Sequence, residues 1–82
     1  MTFEEAISKL KKGAKVQRKN WENKDMYIFQ IHHNQWKINS DHKIVNELET
    51  MPTIAMKTAR NKISPWLASQ ADIFANDWRV AK

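Results

Sequence analysis

Pro65-Trp66-Leu67-Ala68-Ser69-Gln70-Ala71-Asp72-Ile73-Phe74-Ala75-Asn76-Asp77-Trp78 packs two tryptophans, a helix start and several polar groups into one short run, and the rest of the chain is organised around it. Ser69 followed by Asp72 has the spacing of a capping box, in which the hydroxyl accepts an amide of the first turn and the acidic side chain reaches back to the cap amide. A short helix is therefore expected to start at Ser69. Pro65 disfavours helix in the residue before it, so Ser64 reads as the end of an extended segment and 65–68 as the turn leading into the helix. That places Trp66 at a strand-to-helix corner. Helix-start amides favour negative groups such as phosphate, and a neighbouring indole offers a flat face to a base. The alternative is that both tryptophans fill a small core.

Upstream of this stretch, Thr53-Ile54-Ala55-Met56-Lys57-Thr58 alternates as a strand does, and Arg60-Asn61 turns into Lys62-Ile63-Ser64, which makes a hairpin. Met26-Tyr27-Ile28-Phe29-Gln30-Ile31 is dense in β-formers and is expected to be the central strand. Lys15-Val16-Gln17-Arg18 and Trp78-Arg79-Val80-Ala81 supply two more short strands. At the N-terminus Thr2 and Glu5 repeat the capping-box spacing, and Phe3, Ala6, Ile7 and Leu10 recur at helical intervals. Gly13, the only glycine, is placed to close that helix in the left-handed conformation. Between 34 and 50 the pattern is least legible: Trp36 and Ile38 suit an edge strand, and Ile44, Val45 and Leu48 a short helical turn. The expected fold is α+β, a small antiparallel sheet packed with an N-terminal amphipathic helix and a second short helix, in one domain spanning 1–82.

An 82-residue chain hides only somewhat more than about 60% of the surface its unfolded form exposes, so its core is expected to be thin. Without cysteine there is no disulfide or thiolate-bound metal to reinforce it, and four tryptophans, three phenylalanines and contacts between subunits must supply the missing burial. Oligomerisation is expected. The charge of +5, from 14 Lys and Arg against 9 Asp and Glu, favours anionic partners without choosing among phosphate esters, nucleic acid and a membrane surface. No apolar run approaches the roughly 18 residues of a membrane span, and the chain opens on a capped helix where a signal peptide would stand, which reads as a cytosolic protein.

Catalytic patterns are weak. Ser8, Ser40, Ser64 and Ser69 lack a nucleophile context, and Asp72 and Asp77, five apart, are expected to diverge instead of forming an acid-base pair. His32 and His33 would point to opposite faces of a strand, with neither cysteine nor a nearby acidic residue to complete a metal site. A single glycine allows no glycine-rich phosphate loop. A binding protein remains, without catalytic residues, metal or cofactor, and its indoles, helix starts and basic balance suit a nucleotide. Trp21, set in the polar loop Lys19-Asn20-Trp21-Glu22-Asn23-Lys24-Asp25, is either a lid over the core or a stacking surface.

Phe3-Glu4-Glu5-Ala6, Arg18-Lys19-Asn20-Trp21, Ile54-Ala55-Met56-Lys57-Thr58-Ala59 and the block Pro65 to Asp72 followed by Asp77-Trp78 together resemble the small phage proteins of the second Thoeris anti-defence family. The resemblance spans nearly the whole chain, apart from 33–50. Asn20 and Asn61 stand where the family often has glycine, and asparagine tolerates similar backbone angles. The resemblance implies a non-enzymatic sponge that captures cyclic ADP-ribose isomers made by bacterial TIR-domain enzymes, and in some members cyclic dinucleotides, before they reach the Thoeris effector. It also implies a homotetramer with ligand pockets between subunits, working in the host cytoplasm. Trp21, Trp66 and Asp72 carry over as ligand-binding positions, joined by Ser69 and Trp78. The alternative is a small basic nucleic-acid-binding module using the same lysines and tryptophans on an open face, and a signal-degrading enzyme is a third reading.

Overall fold

Helix α1, Phe3–Lys11, is closed at both ends by its own sequence. Thr2 Oγ1 accepts the Glu5 amide at 3.2 Å while Glu5 Oε1 accepts the Thr2 amide at 3.1 Å, so both partners of the box are engaged. At the other end Gly13 takes φ +91°, its amide donates to the Leu10 carbonyl at 2.9 Å and that of Ala14 to Lys9 at 3.0 Å. This is the Schellman pattern, and its left-handed residue explains why the chain's one glycine stands there. The computed structural model describes residues 1–32 and 51–81. The expectations placed on His33 and on 34–50 lie outside the described residues.

The remaining elements are β1 (Val16–Arg18), β2 (Tyr27–Ile31), β3 (Thr53–Lys57), β4 (Ile63–Pro65), α2 (Gln70–Phe74) and β5 (Trp78–Val80). Among the described residues the strands form one five-stranded sheet in the order β4-β3-β2-β1-β5, with every neighbouring pair antiparallel. The fold is thus α+β, and the β-rich segment around Ile28 is the central strand. Register fixes the faces. Val16 stands opposite Ile28, and Ile28 opposite Met56; with Ala6 and Leu10 of α1 and with Trp78, Val16 and Ile28 form the buried core. Residues one step along the strands, Gln17 opposite Arg79 and Tyr27 opposite Lys57, belong to the other face.

The β3–β4 hairpin turns at Asn61, whose φ of +61° is one that asparagine tolerates better than most residues. Pro65 differs from its expected place: it ends β4 opposite Ala55 instead of starting the turn. β4 is an edge strand, and there the missing amide of proline leaves no ladder bond unmade. The chain stays on the sheet one residue longer, with the Trp66 amide donating to the Ile54 carbonyl at 3.0 Å, before it turns into α2.

Candidate functional site

Trp78 sits at the centre of an aromatic cluster where α1, β5 and the two tryptophan-bearing turns meet. Its ring lies 5.5 Å from Phe3, 5.7 Å from Trp21 and 6.0 Å from Trp66, the two indoles meeting it nearly edge-on at 79° and 89°. Only 1% of Trp78 is exposed, and its indole N–H donates to the Asp72 carbonyl at 3.0 Å, so the polar end of the buried ring is satisfied. Trp78 is therefore a core residue and offers no open face in this chain. Trp21 and Trp66 are half-buried and flank it. Trp21 closes over the core, as one of its two readings had it, with part of its indole still facing outward.

The carboxylates of Asp72 and Asp77 converge, contrary to the expectation that five residues of separation would turn them apart. Both bind Arg18: Nη1 donates to Asp72 Oδ1 at 3.0 Å and Nε to Asp77 Oδ1 at 2.9 Å. Five residues of separation turn two side chains apart only along one continuous helix. Instead α2 stops at Phe74, and the chain bends so that Asp77 enters β5 beside β1, where Arg18 is the register partner of Trp78. The second oxygens are also engaged, Asp72 Oδ2 by the Ser69 amide at 3.0 Å and Asp77 Oδ2 by the Asn20 amide at 3.2 Å. Ser69 Oγ in turn accepts the Asp72 amide at 3.1 Å, completing the cap of α2. Ser69 and Asp72 thus spend on each other two of the amides that a helix start would otherwise turn toward a phosphate.

One guanidinium consequently ties together the two segments that carry the half-buried indoles. Through Asp72 it fixes the helix start that follows Trp66; through Asp77 and Asn20 it fixes the turn carrying Trp21. The Trp21 amide donates to the Arg18 carbonyl at 3.2 Å, and Lys24 Nζ donates to the carbonyls of Lys19 and, at 2.8 Å, of Trp21. Arg18 is the site residue that sequence reasoning missed. A signal was available: Arg18 shares a strand face with Val16, so once Val16 is core, Arg18 stands at the core's rim and needs carboxylates to balance it.

Arg18 also sets the charge state of the cluster. Burial alone would raise the Asp72 carboxyl, but hydrogen bonds from the Ser69 amide and hydroxyl and from Arg18 outweigh it and hold the group below its ordinary value. For Asp77 the Arg18 hydrogen bond dominates, aided by the Asn20 amide, and the group is likewise lowered. Arg18 is raised by its bonds to Asp77 and then Asp72, against the opposing effect of burial. Both carboxyls titrate lower folded than unfolded, where the value is about 3.9, so the unfolded chain binds more protons in that range. Their contribution is complete above about pH 4 and is lost as pH falls through the folded values. Urea unfolding at stepped pH should show stability declining below pH 4 and a shallower decline in Asp72→Asn; stability that holds level or rises down to pH 3 would contradict the clamp.

Residues 1–81 match the family described as the Thoeris anti-defense 2-like domain. Thoeris anti-defense 2 of Bacillus phage SP01 is similar to this chain, with 36% identity over 85 aligned residues that cover 98% of this chain and 93% of the relative.

Proposed function

The chain belongs to the Thoeris anti-defense 2-like family, and from that premise we propose that it serves a phage against the Thoeris defence as a sponge, binding a cyclic ADP-ribose-type signal and holding it unchanged. The observation that carries this reading is the pair of half-buried indoles, Trp21 and Trp66, held on either side of Trp78 by segments that the Arg18 clamp fixes. Such surfaces suit adenine because stacking needs a flat apolar face whose position is set before the ligand arrives, and each stacked base contributes about 1–3 kcal/mol. The net charge of +5 favours the pyrophosphate. Asp72 acts here as the anchor of the corner, since each of its oxygens already accepts a hydrogen bond; its remaining lone pairs are what it can offer a ribose hydroxyl.

A sponge works by affinity and abundance, so no bond in the ligand has to break. The pocket is proposed to be completed by a second copy of the chain within a homotetramer. Leu67 is 92% exposed and Phe74 78% exposed, and both lie on the segment that carries Trp66 and the α2 start. Apolar side chains left open beside a half-built site favour coverage by another subunit. The proposed setting is the cytoplasm of the infected host, where the signal is made; among the described residues no helix is long and apolar enough to cross a membrane.

Titrating a TIR-derived cyclic ADP-ribose isomer against fixed protein tests this directly. Sequestration predicts a break at a fixed ratio of ligand to subunit and recovery of intact ligand after heat denaturation. Loss of ligand beyond that ratio, with a new product by chromatography, would make the protein a catalyst. Failure to bind, with tight salt-sensitive binding of long polyanions instead, would return it to the nucleic-acid class. Trp66→Ala is expected to weaken ligand binding about 5- to 150-fold, the equivalent of one lost stack, with little change in melting temperature. If melting temperature falls in proportion to binding, Trp66 is a core residue only.

A further inference from the structure

On the sheet face opposite α1, a buried glutamine aims an arginine. Gln17 is 4% exposed, and its Nε2 donates to the carbonyls of Lys24 at 3.0 Å and Met26 at 2.8 Å. With both amide hydrogens committed, Oε1 can only accept, and it accepts Arg79 Nε at 2.9 Å. The two remaining Nη nitrogens of Arg79 have no hydrogen-bond or ion-pair partner among the described residues. Arg79, Gln17, Lys24, Asp25 and Val80 line a cleft of about 340 Å³. Asp25 lines the cleft without a salt bridge to Arg79, since the two described salt bridges both belong to Arg18. Along the same face Lys15 and Lys57 hold their ammonium groups 4.9 Å and 5.5 Å from the Tyr27 ring centre, and Lys57 Nζ reaches the Asp25 carbonyl at 3.0 Å.

We propose that this cleft is a phosphoryl-anion site, with Arg79 as its bidentate donor. A guanidinium whose Nε is fixed by a buried amide presents its outer N–H groups as a preset fork, the geometry that matches two oxygens of a phosphate. Arg79, Lys15 and Lys57 place three cations on or beside the cleft against the single carboxylate of Asp25, an excess that suits a di- or trianion better than a lone carboxylate, while the Lys24 ammonium is held by the carbonyls of Lys19 and Trp21. Asp25 opposes the anion and limits its affinity, which gives the site a signature that a purely structural arginine would not have. Lys24 lines the cleft and also holds the Trp21 turn, but the anion donors Arg79, Lys15 and Lys57 lie outside the tryptophan corner and the site does not depend on the sponge reading.

Inorganic pyrophosphate is the probe, added to the full chain and followed by calorimetry at low salt. The intact protein should bind it, Arg79→Gln should weaken binding about tenfold or more, and Asp25→Asn should strengthen it. Trp66→Ala should leave it unchanged, so failure of the sponge reading and failure of this site are distinguishable outcomes. Equal affinity in Arg79→Gln and the intact protein, absence of pyrophosphate binding in the intact protein, or weaker binding in Asp25→Asn would each overturn the proposal. So would a change of oligomeric state in Arg79→Gln by sedimentation, which would assign the fork to a carboxylate of a second copy.

Discussion

Trp78→Ala is expected to remove about 3–5 kcal/mol of folding stability, the range for truncating a fully buried aromatic. The side chain is 1% exposed and is met by Phe3, Trp21 and Trp66, so its removal leaves a cavity walled by rigid rings that cannot easily collapse. The Asp72 carbonyl also loses the indole donor and keeps only the longer bond from the Ala75 amide at 3.4 Å. In a small domain with only about 5–15 kcal/mol in total, that is enough to unfold a substantial fraction at 37 °C. Urea unfolding followed by circular dichroism measures it, and Trp21→Ala, at the half-buried rim, should lose well under half as much. Comparable losses in the two variants would mean that Trp21 is as much a core residue as Trp78, and the surface assigned to ligand stacking would shrink to Trp66.

The contrast between these indoles also marks how far the sequence could be read. Caps, turns and the central strand were legible because each signal is local: Thr2 with Glu5, Ser69 with Asp72, Gly13 after a helix and Asn61 in a hairpin all act within a few residues. The candidate site was legible as a set of residue types at a corner. What could not be read was which indole lies inside, because Trp66 and Trp78 have similar local surroundings and only the packing of α1 separates them. The Arg18 clamp was hidden for the same reason, its bonds spanning 54 and 59 residues of chain. Spacing along one element said that Asp72 and Asp77 part; the bend between α2 and β5 brings them together.

Arg18→Met is expected to cost about 2–4 kcal/mol at pH 7, somewhat below the range for breaking a fully buried pair because Asp77 keeps 31% of its side chain exposed. The methionine retains much of the apolar stem, so packing alone does not explain a loss of that size. What remains is two partly buried carboxylates facing each other without a counter-charge. The triple variant Arg18→Met, Asp72→Asn, Asp77→Asn should therefore be more stable than the single one, since removing all three charges also removes the uncompensated pair, while an asparagine oxygen can still accept the Ser69 or Asn20 amide. The pH dependence supplies a second readout: without the arginine the carboxyls are less depressed, so the single variant should lose less stability than the parent between pH 4 and 3. Equal stability of single and triple variants at pH 7, together with unchanged acid sensitivity, would show that Arg18 contributes by packing and that the two tryptophan-bearing turns are held by something other than its charge.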